Sequence, residues 1–509
     1  MSLLNPAKKF RYISLLQPDS ILLNFQNHIL YPQTFESNTF TFLNKSVRFD
    51  KEIDWAYSEH GLLWTYNLNY FDFLNQEVVD IDDCVSIIND FIRTLDTNKI
   101  GWQPYPISLR IVNWIKFIIR NRTKLEIHKD FNLTLFNRTL YIQLLFLKRN
   151  IEYHLMGNHL FENGVALLFG AYYFNDMGFF SKAKRILVSE INEQILNDGA
   201  HFEQSPMYHQ ILLSRLLDIT NLYNNNVNIF QDNLFDQLNA KTSKMLKWLK
   251  NISFSNGQIP LFNDSANGVA PGTKELFQYA DELNIKTAGS PIFSLNESGF
   301  RKRKTNHYEI VLDIGSVCSG YQPAHTHSDI FNFELYLDQK PLIVDTGTST
   351  YENNNQRKLQ RSTIAHNTVT IGNIDPHQVW SSFRVANRAE VIVLEDSEEL
   401  ISAYHTGYRR INVEHQRTFM ISDDALKIID KLISKQCIEG VFHLHFHPSV
   451  QFKVNDNTII GRDFRIDFEN VDSLVIEEYE FAPEFNRTFS ARKAKALFHV
   501  DISANFRFG

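Results

Sequence analysis

Three stretches of the chain hold residue types that move protons or bind anions and metals. The first is Gly157-Asn158-His159-Leu160-Phe161-Glu162-Asn163-Gly164, which joins one helical segment to the next. Asn158 can cap the helix that follows. Equally, the free N–H groups and dipole of a helix start favour an anion there. The second runs from Asp198 to His209 and contains Ser205-Pro206-Met207-Tyr208. Ser205 reads as a cap and Pro206 as the first helical residue. Tyr208 then sits in the first turn, where the dipole makes a tyrosinate less costly. A packed tyrosine with a hydrogen-bonded hydroxyl fits the same residues. The third is Pro323-Ala324-His325-Thr326-His327-Ser328-Asp329, followed by Val344-Asp345-Thr346-Gly347 and Ile364-Ala365-His366. On an extended segment both imidazoles of His-x-His face one side. With Asp345 and His366 from neighbouring strands they would form a nitrogen-and-carboxylate metal site; polar core histidines are the other reading. His443, His445 and His447 alternate on a further strand without a nearby carboxylate. They read as a solvated or hydrogen-bonded sheet face.

The elements that must position these groups change type along the chain. Residues 1–50 are mixed. From about residue 80 to 285 apolar residues recur with helical period, as in Val85–Ile92, Leu109–Ile119, Thr139–His154, Val165–Phe174, Ala183–Leu196, Ile211–Leu222 and Lys244–Leu249. Short connections and no long strand argue an all-α domain. Beyond it the period becomes two. Ile330–Leu337 sets Phe331, Phe333, Leu335 and Leu337 on one face against Asn332, Glu334 and Tyr336 on the other. Similar runs occur at His307–Ile314, Thr368–Ile371, Glu390–Leu394, Leu426–Ile429 and Val441–His447, so an antiparallel β domain, read as a sandwich, is expected. The expected divisions are 1–50, 51–290 and 291–509, with the last boundary near Ala288-Gly289-Ser290-Pro291. Arg301-Lys302-Arg303-Lys304 reads as a solvated turn.

Bulk properties bound the function. A chain of 509 residues is long enough for two or more cores. A net charge of −7 gives no global attraction for nucleic acid or an anionic membrane. The aromatic share of 13% suits packed cores and also the stacking of sugar rings. Cys84, Cys318 and Cys437 are few and scattered, so neither a disulfide framework nor a thiolate metal site follows. The start, MSLLNPAKKFRYISLLQPDS, lacks the apolar core of a signal peptide, and no stretch has the length of a membrane span. The default expectation is cytoplasmic, or periplasmic or secreted if the chain is a truncated mature form.

Taken in order, these pieces resemble the heparinase II/III family of polysaccharide lyases. The resemblance rests on Leu63-Trp64-Thr65-Tyr66-Asn67-Leu68-Asn69-Tyr70-Phe71, Trp102-Gln103-Pro104-Tyr105-Pro106-Ile107-Ser108-Leu109-Arg110, and the 158–163 and 198–209 stretches. It rests also on His-x-His-x-Asp at 325–329, Asp345-Thr-Gly and Ser362 to His366. It implies an incomplete (α/α) toroid followed by an antiparallel β-sandwich, with an active-site groove between them. It implies β-elimination on a uronic-acid-containing glycan, leaving a 4,5-unsaturated uronate. Tyr208 and His325 would transfer the protons. Asn158 or His159, with Glu162, would neutralise or orient the substrate carboxyl group. His327, Asp345 and His366 would hold one divalent, zinc-like, structural metal, and no organic cofactor is expected. Arg110, Tyr105, Gln103, Arg357, Arg361 and Arg384 are further substrate-binding candidates, because a guanidinium fork makes two bonds to carboxylate or sulfate. The expected partner is an acidic polysaccharide, without nucleic acid or membrane insertion; the oligomeric state is open. Two other classes share these features: a glycan-binding or biosynthetic accessory protein without turnover, and a glycoside hydrolase working through carboxylates such as Glu162, Glu203 and Asp264.

Overall fold

The computed structural model describes residues 19–26, 28–285, 295–317 and 320–509. The N-terminal stretch, Cys318 and the boundary expected at Ala288–Pro291 lie outside them. Two compact units emerge. The first draws on Met1–Ile195, Leu212–Ser243 and Glu275–Lys286; the second on Leu196–Ile211, Lys244–Lys274 and Thr287–Gly509.

The first unit is helical. A small three-stranded meander, Phe35–Glu36, Thr39–Phe42 and Lys45–Arg48, precedes α1 (Leu62–Tyr70), α2 (Ile81–Thr94), α3 (Pro104–Glu126), α4 (Leu133–Arg149), α5 (Gly157–Phe174) and α6 (Met177–Gln194). Local chemistry sets the starts. Asp80 caps α2 by accepting from the Asp82 and Asp83 N–H groups, Asn132 caps α4, Asp176 caps α6, and Pro104 opens α3. Helix α5 is buried along almost its whole length, the signature of a helix enclosed on every side. Thr139–His154 is helical only as far as Arg149. The core includes Phe71, Phe91 and Trp114, whose rings meet edge-on 4.9–5.9 Å apart. Each fully buried large side chain contributes about 1.5–3 kcal/mol. Helices α7 (Pro206–Asn224), α8 (Leu234–Ile252) and α9 (Thr273–Glu282) follow; the opening turn of α7, α8 from Lys244 and the first two residues of α9 are counted with the second unit. Among the described residues no helix is long and apolar enough to cross a membrane.

The second unit is an antiparallel sandwich. One layer is an eight-stranded sheet in the order Val391–Asp396, Leu400–His405, Glu414–Ile421, Ala425–Ile433, Asp501–Phe508, Phe464–Glu469, Thr458–Gly461, Phe452–Asn455. The other joins two four-stranded sheets, one from Phe300 to Ile343 and one built on Ser473–Glu484, Arg487–His499, Glu439–His445 and Val369–Thr370. They meet where Val344 N–H donates to His445 O and His447 N–H to Leu342 O, both at 3.0 Å. Phe333, Phe419, Phe442, Phe468 and Phe506 are among the side chains filling the space between layers.

Several expectations change in detail. The strand expected from Ile330 begins at Phe333, because Phe331 takes a left-handed backbone (φ 68°). Its Asn332, Glu334 and Tyr336 face is buried too, so the strand is covered on both sides. The basic run at 301–304 is not a turn but part of strand Phe300–Lys304, where Asp396 and Glu309 neutralise Arg301 and Lys302. His443 and His445 are buried and hydrogen-bonded, to Thr370 Oγ1 at 2.8 Å and Asn367 Oδ1 at 3.1 Å, rather than solvated.

Deep in this unit a polar row crosses the eight-stranded sheet. Gly407 N–H donates to His405 Nδ1 (3.1 Å), His405 Nε2 lies 3.0 Å from His415 Nδ1, and His415 Nε2 lies 2.6 Å from Asp430 Oδ1. Arg417 clasps the same carboxylate at 2.7 and 2.9 Å and donates to the carbonyls of Phe331 and Asn367. The row thus ties the sheet to the turn after His327 and to the residue after His366.

Candidate active site

The second unit brings Tyr208 and His325 together. Ser205 caps α7: its Oγ accepts from Tyr208 N–H at 3.3 Å and donates to Asp264 O at 2.9 Å. This fixes Tyr208 in the first turn. Its ring lies on the His325 imidazole, centroids 3.9 Å apart and tilted 30°, and its hydroxyl is 3.4 Å from that of Tyr351. Burial and the Asp264 charge push the Tyr351 phenol well above its ordinary range, so it stays protonated.

His325 is held by Asp264, a residue the motifs did not select for this role. His325 Nδ1–H donates to Asp264 Oδ2 at 2.8 Å, while His325 Nε2 lies 3.4 Å from Glu203. Asp264 also accepts from His327 Nε2 at 2.8 Å and is clasped by both terminal nitrogens of Arg357, one at 2.7 Å. All of Asp264, His327 and Arg357 is inaccessible to solvent. Burial alone would raise the Asp264 carboxyl; the Arg357 guanidinium and the two imidazoles outweigh it and hold it well below the carboxylate range. A permanent negative charge therefore fixes the proton of His325 on Nδ1 and aims Nε2 away from it.

Arg357 and Arg361, nominated as substrate forks, are buried. Arg357 donates from Nε and Nη2 to Ser382 O (3.1 and 2.9 Å); Arg361 donates to Ser381 O and Thr326 O. They lock a turn onto the histidine segment. Arg384 is exposed.

The nominated metal residues lie in the same unit. His366 Nδ1–H donates to Asp345 Oδ2 at 2.7 Å, and Asp345 also accepts from Asn332 Nδ2 and Gly347 N–H. Gly347 needs its positive φ of 76°, and a side chain there would strike the Ala482 carbonyl. The His327 and His366 rings are 5.4 Å apart. Burial lowers His327 to about 4, so it is neutral. His327 Nδ1, His366 Nε2 and Asp329 Oδ2 are buried without a hydrogen-bond partner. Burial and neighbouring carboxylates push Asp329 up to about 6 and Glu334 to about 8. These donors and this crowding of acids suit a cation. Among the described residues, though, no group of three or more His, Cys, Asp or Glu is arranged to hold one.

The helical unit gathers a second cluster. Asn158 Nδ2 donates to Tyr105 OH at 2.8 Å, and the Tyr105 ring lies 4.3 Å from that of His159. His159 Nδ1 is 3.3 Å from Glu152, and Tyr66 OH donates to Gln103 Oε1. Asn158 is not a cap: α5 starts after Met156 (φ 57°) with no side-chain cap. Arg110 makes its bonds elsewhere, while the Glu162 charge reaches Tyr105 and adds to burial in pushing its phenol up. Arg110 is buried and donates to Gln143 and the carbonyls of Asn69 and Gly101. Glu162 accepts from Arg215 Nε at 2.9 Å, within a buried network that includes Asp218 and Lys116.

Comparison with known proteins places these features. Residues 19–283 match the pattern "Heparinase II/III N-terminus" and residues 287–504 match "Heparinase II/III-like, C-terminal". A heparin-sulfate lyase of Bacteroides stercoris is 26% identical over 328 residues, covering 58% of this chain and 46% of that protein. The chain thus spans about half the length of the curated relatives it matches. A crystal structure of heparinase III superposes with a TM-score of 0.73 at 16% identity, covering 91% of this chain and 80% of that one. A mutant of the heparan sulfate lyase HepC from Pedobacter heparinus does so with a TM-score of 0.63 at 18% identity, covering 99% and 88%. The expected fold, an incomplete (α/α) toroid followed by an antiparallel β-sandwich, is the fold of this chain. Both halves of the pattern occur, in order, over nearly the whole sequence, and the chain belongs to the heparinase II/III family.

Proposed function

We propose that this protein is a polysaccharide lyase that cleaves a uronic-acid-containing glycan by β-elimination. The observation that carries the reading is the Tyr208–His325 stack, 3.9 Å between rings, with His325 tethered to the buried Asp264–Arg357 pair. In a uronate the C5 proton lies α to the carboxyl group. A base takes that proton, its bonding electrons form the C4–C5 double bond, the C4–O4 bond breaks, and an acid protonates the departing O4. Tyr208 and His325 supply these two proton sites. The helix start at Tyr208 and the nearby Arg357 charge both favour a transient tyrosinate. The relatives' names include heparin-sulfate lyase, which supports an acidic polysaccharide as substrate.

Where a divalent, zinc-like cation binds, His327 Nδ1, His366 Nε2 and the Asp329 and Asp345 carboxylates are the donors that would hold it. It would neutralise buried acids and fix the strands beside His325. Elemental analysis of protein purified without chelator, with melting before and after chelation, checks this. Metal-free protein whose melting ignores added zinc overturns it.

The function is tested by incubating the protein with uronic-acid polymers and following the ultraviolet absorbance of the unsaturated product. Wild type should generate it and Tyr208→Phe should not. Chains shortened without that absorbance would show a hydrolase instead.

A further inference from the structure

Beside His325 stands a two-stranded hairpin whose side chains the catalytic reading leaves unused. Gln378–Trp380 pairs antiparallel with Arg384–Ala386, with Trp380 directly opposite Arg384. Trp380 is 55% exposed and Phe383 39% exposed. Two exposed aromatic side chains on one short hairpin give it a flat apolar face of the kind on which rings stack.

The hairpin is braced rather than loose. Arg357 and Arg361 hold the carbonyls of Ser382 and Ser381 at the turn, and Arg361 also reaches Arg384 O at 3.4 Å. At its base His377 N–H donates to Ser328 Oγ at 3.0 Å, and Asn387 Nδ2 ties across to Gln378 at 2.8 Å. The guanidinium that neutralises Asp264 therefore also fixes this turn. Phe383 completes the connection: its ring meets His325 edge-on at 6.0 Å and Tyr351 at 5.3 Å, and Arg357 lies 5.4 Å from its centroid.

We infer that this hairpin is a substrate-binding platform, on which Trp380 stacks against a pyranose ring of the acidic glycan and Arg384 pairs with that residue's carboxylate or sulfate group. Directly opposed residues of an antiparallel pair project on one face, so the indole and the guanidinium are offered together. The pairing matches an acidic sugar, which has an apolar ring face and an anionic substituent. Phe383, in the turn between the two strands, ties the hairpin to His325. The inference rests on the lyase reading for the identity of the ligand, not for the existence of the surface.

The test uses full-length wild type, Trp380→Ala, Arg384→Gln and Phe383→Ala with heparan sulfate and chemically desulfated heparan sulfate. Turnover is read from the unsaturated product, and affinity separately by calorimetry in the Tyr208→Phe background. Trp380→Ala should raise KM and Kd about tenfold, within the range of a lost aromatic stack, with kcat within about twofold and an unchanged melting temperature. Arg384→Gln should raise KM less, by a factor that shrinks as salt is added. Unchanged KM and Kd in Trp380→Ala overturn the platform while leaving the lyase intact. Glycan binding that Trp380→Ala abolishes, without any unsaturated product from wild type, upholds the platform and sinks the lyase reading. Wild-type self-association in light scattering that Trp380→Ala abolishes overturns the platform in favour of an interface between copies.

Discussion

The two polar clusters of this molecule are built in opposite ways. In the β unit, His325 hangs from Asp264, a carboxylate sealed from water and clasped by Arg357. In the helical unit, Asn158, Tyr105 and His159 touch through one hydrogen bond and a ring contact, and a partly exposed His159 lies 3.3 Å from Glu152. A buried, fully paired charge fixes geometry and a proton position at the cost of fragility, because either partner alone is a stranded ion. A half-open cluster without a clasped, sealed ion adapts and loses little when trimmed. The first suits groups that must exchange protons on schedule; the second suits contact with something that comes and goes.

This contrast can be broken or sharpened in four steps. Asp264→Ala should be the most damaging, since it strands Arg357 and frees both imidazoles. About 3–5 kcal/mol of stability should go, together with turnover, seen as a large fall in denaturant midpoint. A variant as stable as wild type would refute the picture of a buried, paired charge. Tyr208→Phe should keep the fold and cut kcat by about 10²–10⁴, the usual share of a proton-transfer group. Acid should then separate the units. Burial lowers His209 to about 3 and His377 to about 4, and lowers His405, His415 and His443 as well. Unfolded, these titrate near ~6.5, so their contribution is complete above that pH and lost as pH falls toward the folded values, by up to about 1.4 kcal/mol per unit for each. The raised Asp329 and Glu334 offset part of this. In the helical unit burial raises Glu190 to about 7, so its contribution is present in acid and lost as pH rises, against His28 at about 3. Hydrogen exchange at pH 5 should show the β unit opening first; simultaneous opening would contradict this. The smallest effect is expected from Asn158→Ala: about tenfold in turnover, on the scale of one hydrogen bond to a charged group, with no change in melting.

Much of this was legible in the sequence. Helical period and then strand alternation marked the two architectures, and Ser205-Pro206 announced the turn that holds Tyr208. What escaped notice depends on long-range closure. Asp264 sits in a loop 61 and 63 residues from His325 and His327 and 93 from Arg357, within no spaced motif, and the sequence offers it only as a hydrolase carboxylate. Arg357 and Arg361 looked like anion forks because a seven-residue helix, Asn355–Arg361, gives no pattern to show which face is covered. Neighbouring periodicity places Tyr208 in the helical domain, yet 196–211 is counted with the β unit, as is His325. Asn158 was readable as a cap; its amide instead meets Tyr105, a pairing local propensity cannot express.

The row from Gly407 through His405 and His415 to Asp430 admits one ordering of hydrogens. Because the Gly407 N–H points at His405 Nδ1, that ring must carry its proton on Nε2, and His415 must then carry its own on Nε2, toward the carboxylate. Both ring protons are shut away from solvent. They should therefore resonate far downfield in proton NMR and exchange only when the sandwich opens. The molecule thus carries its own clock for global opening, one that can be read without any glycan, metal or turnover.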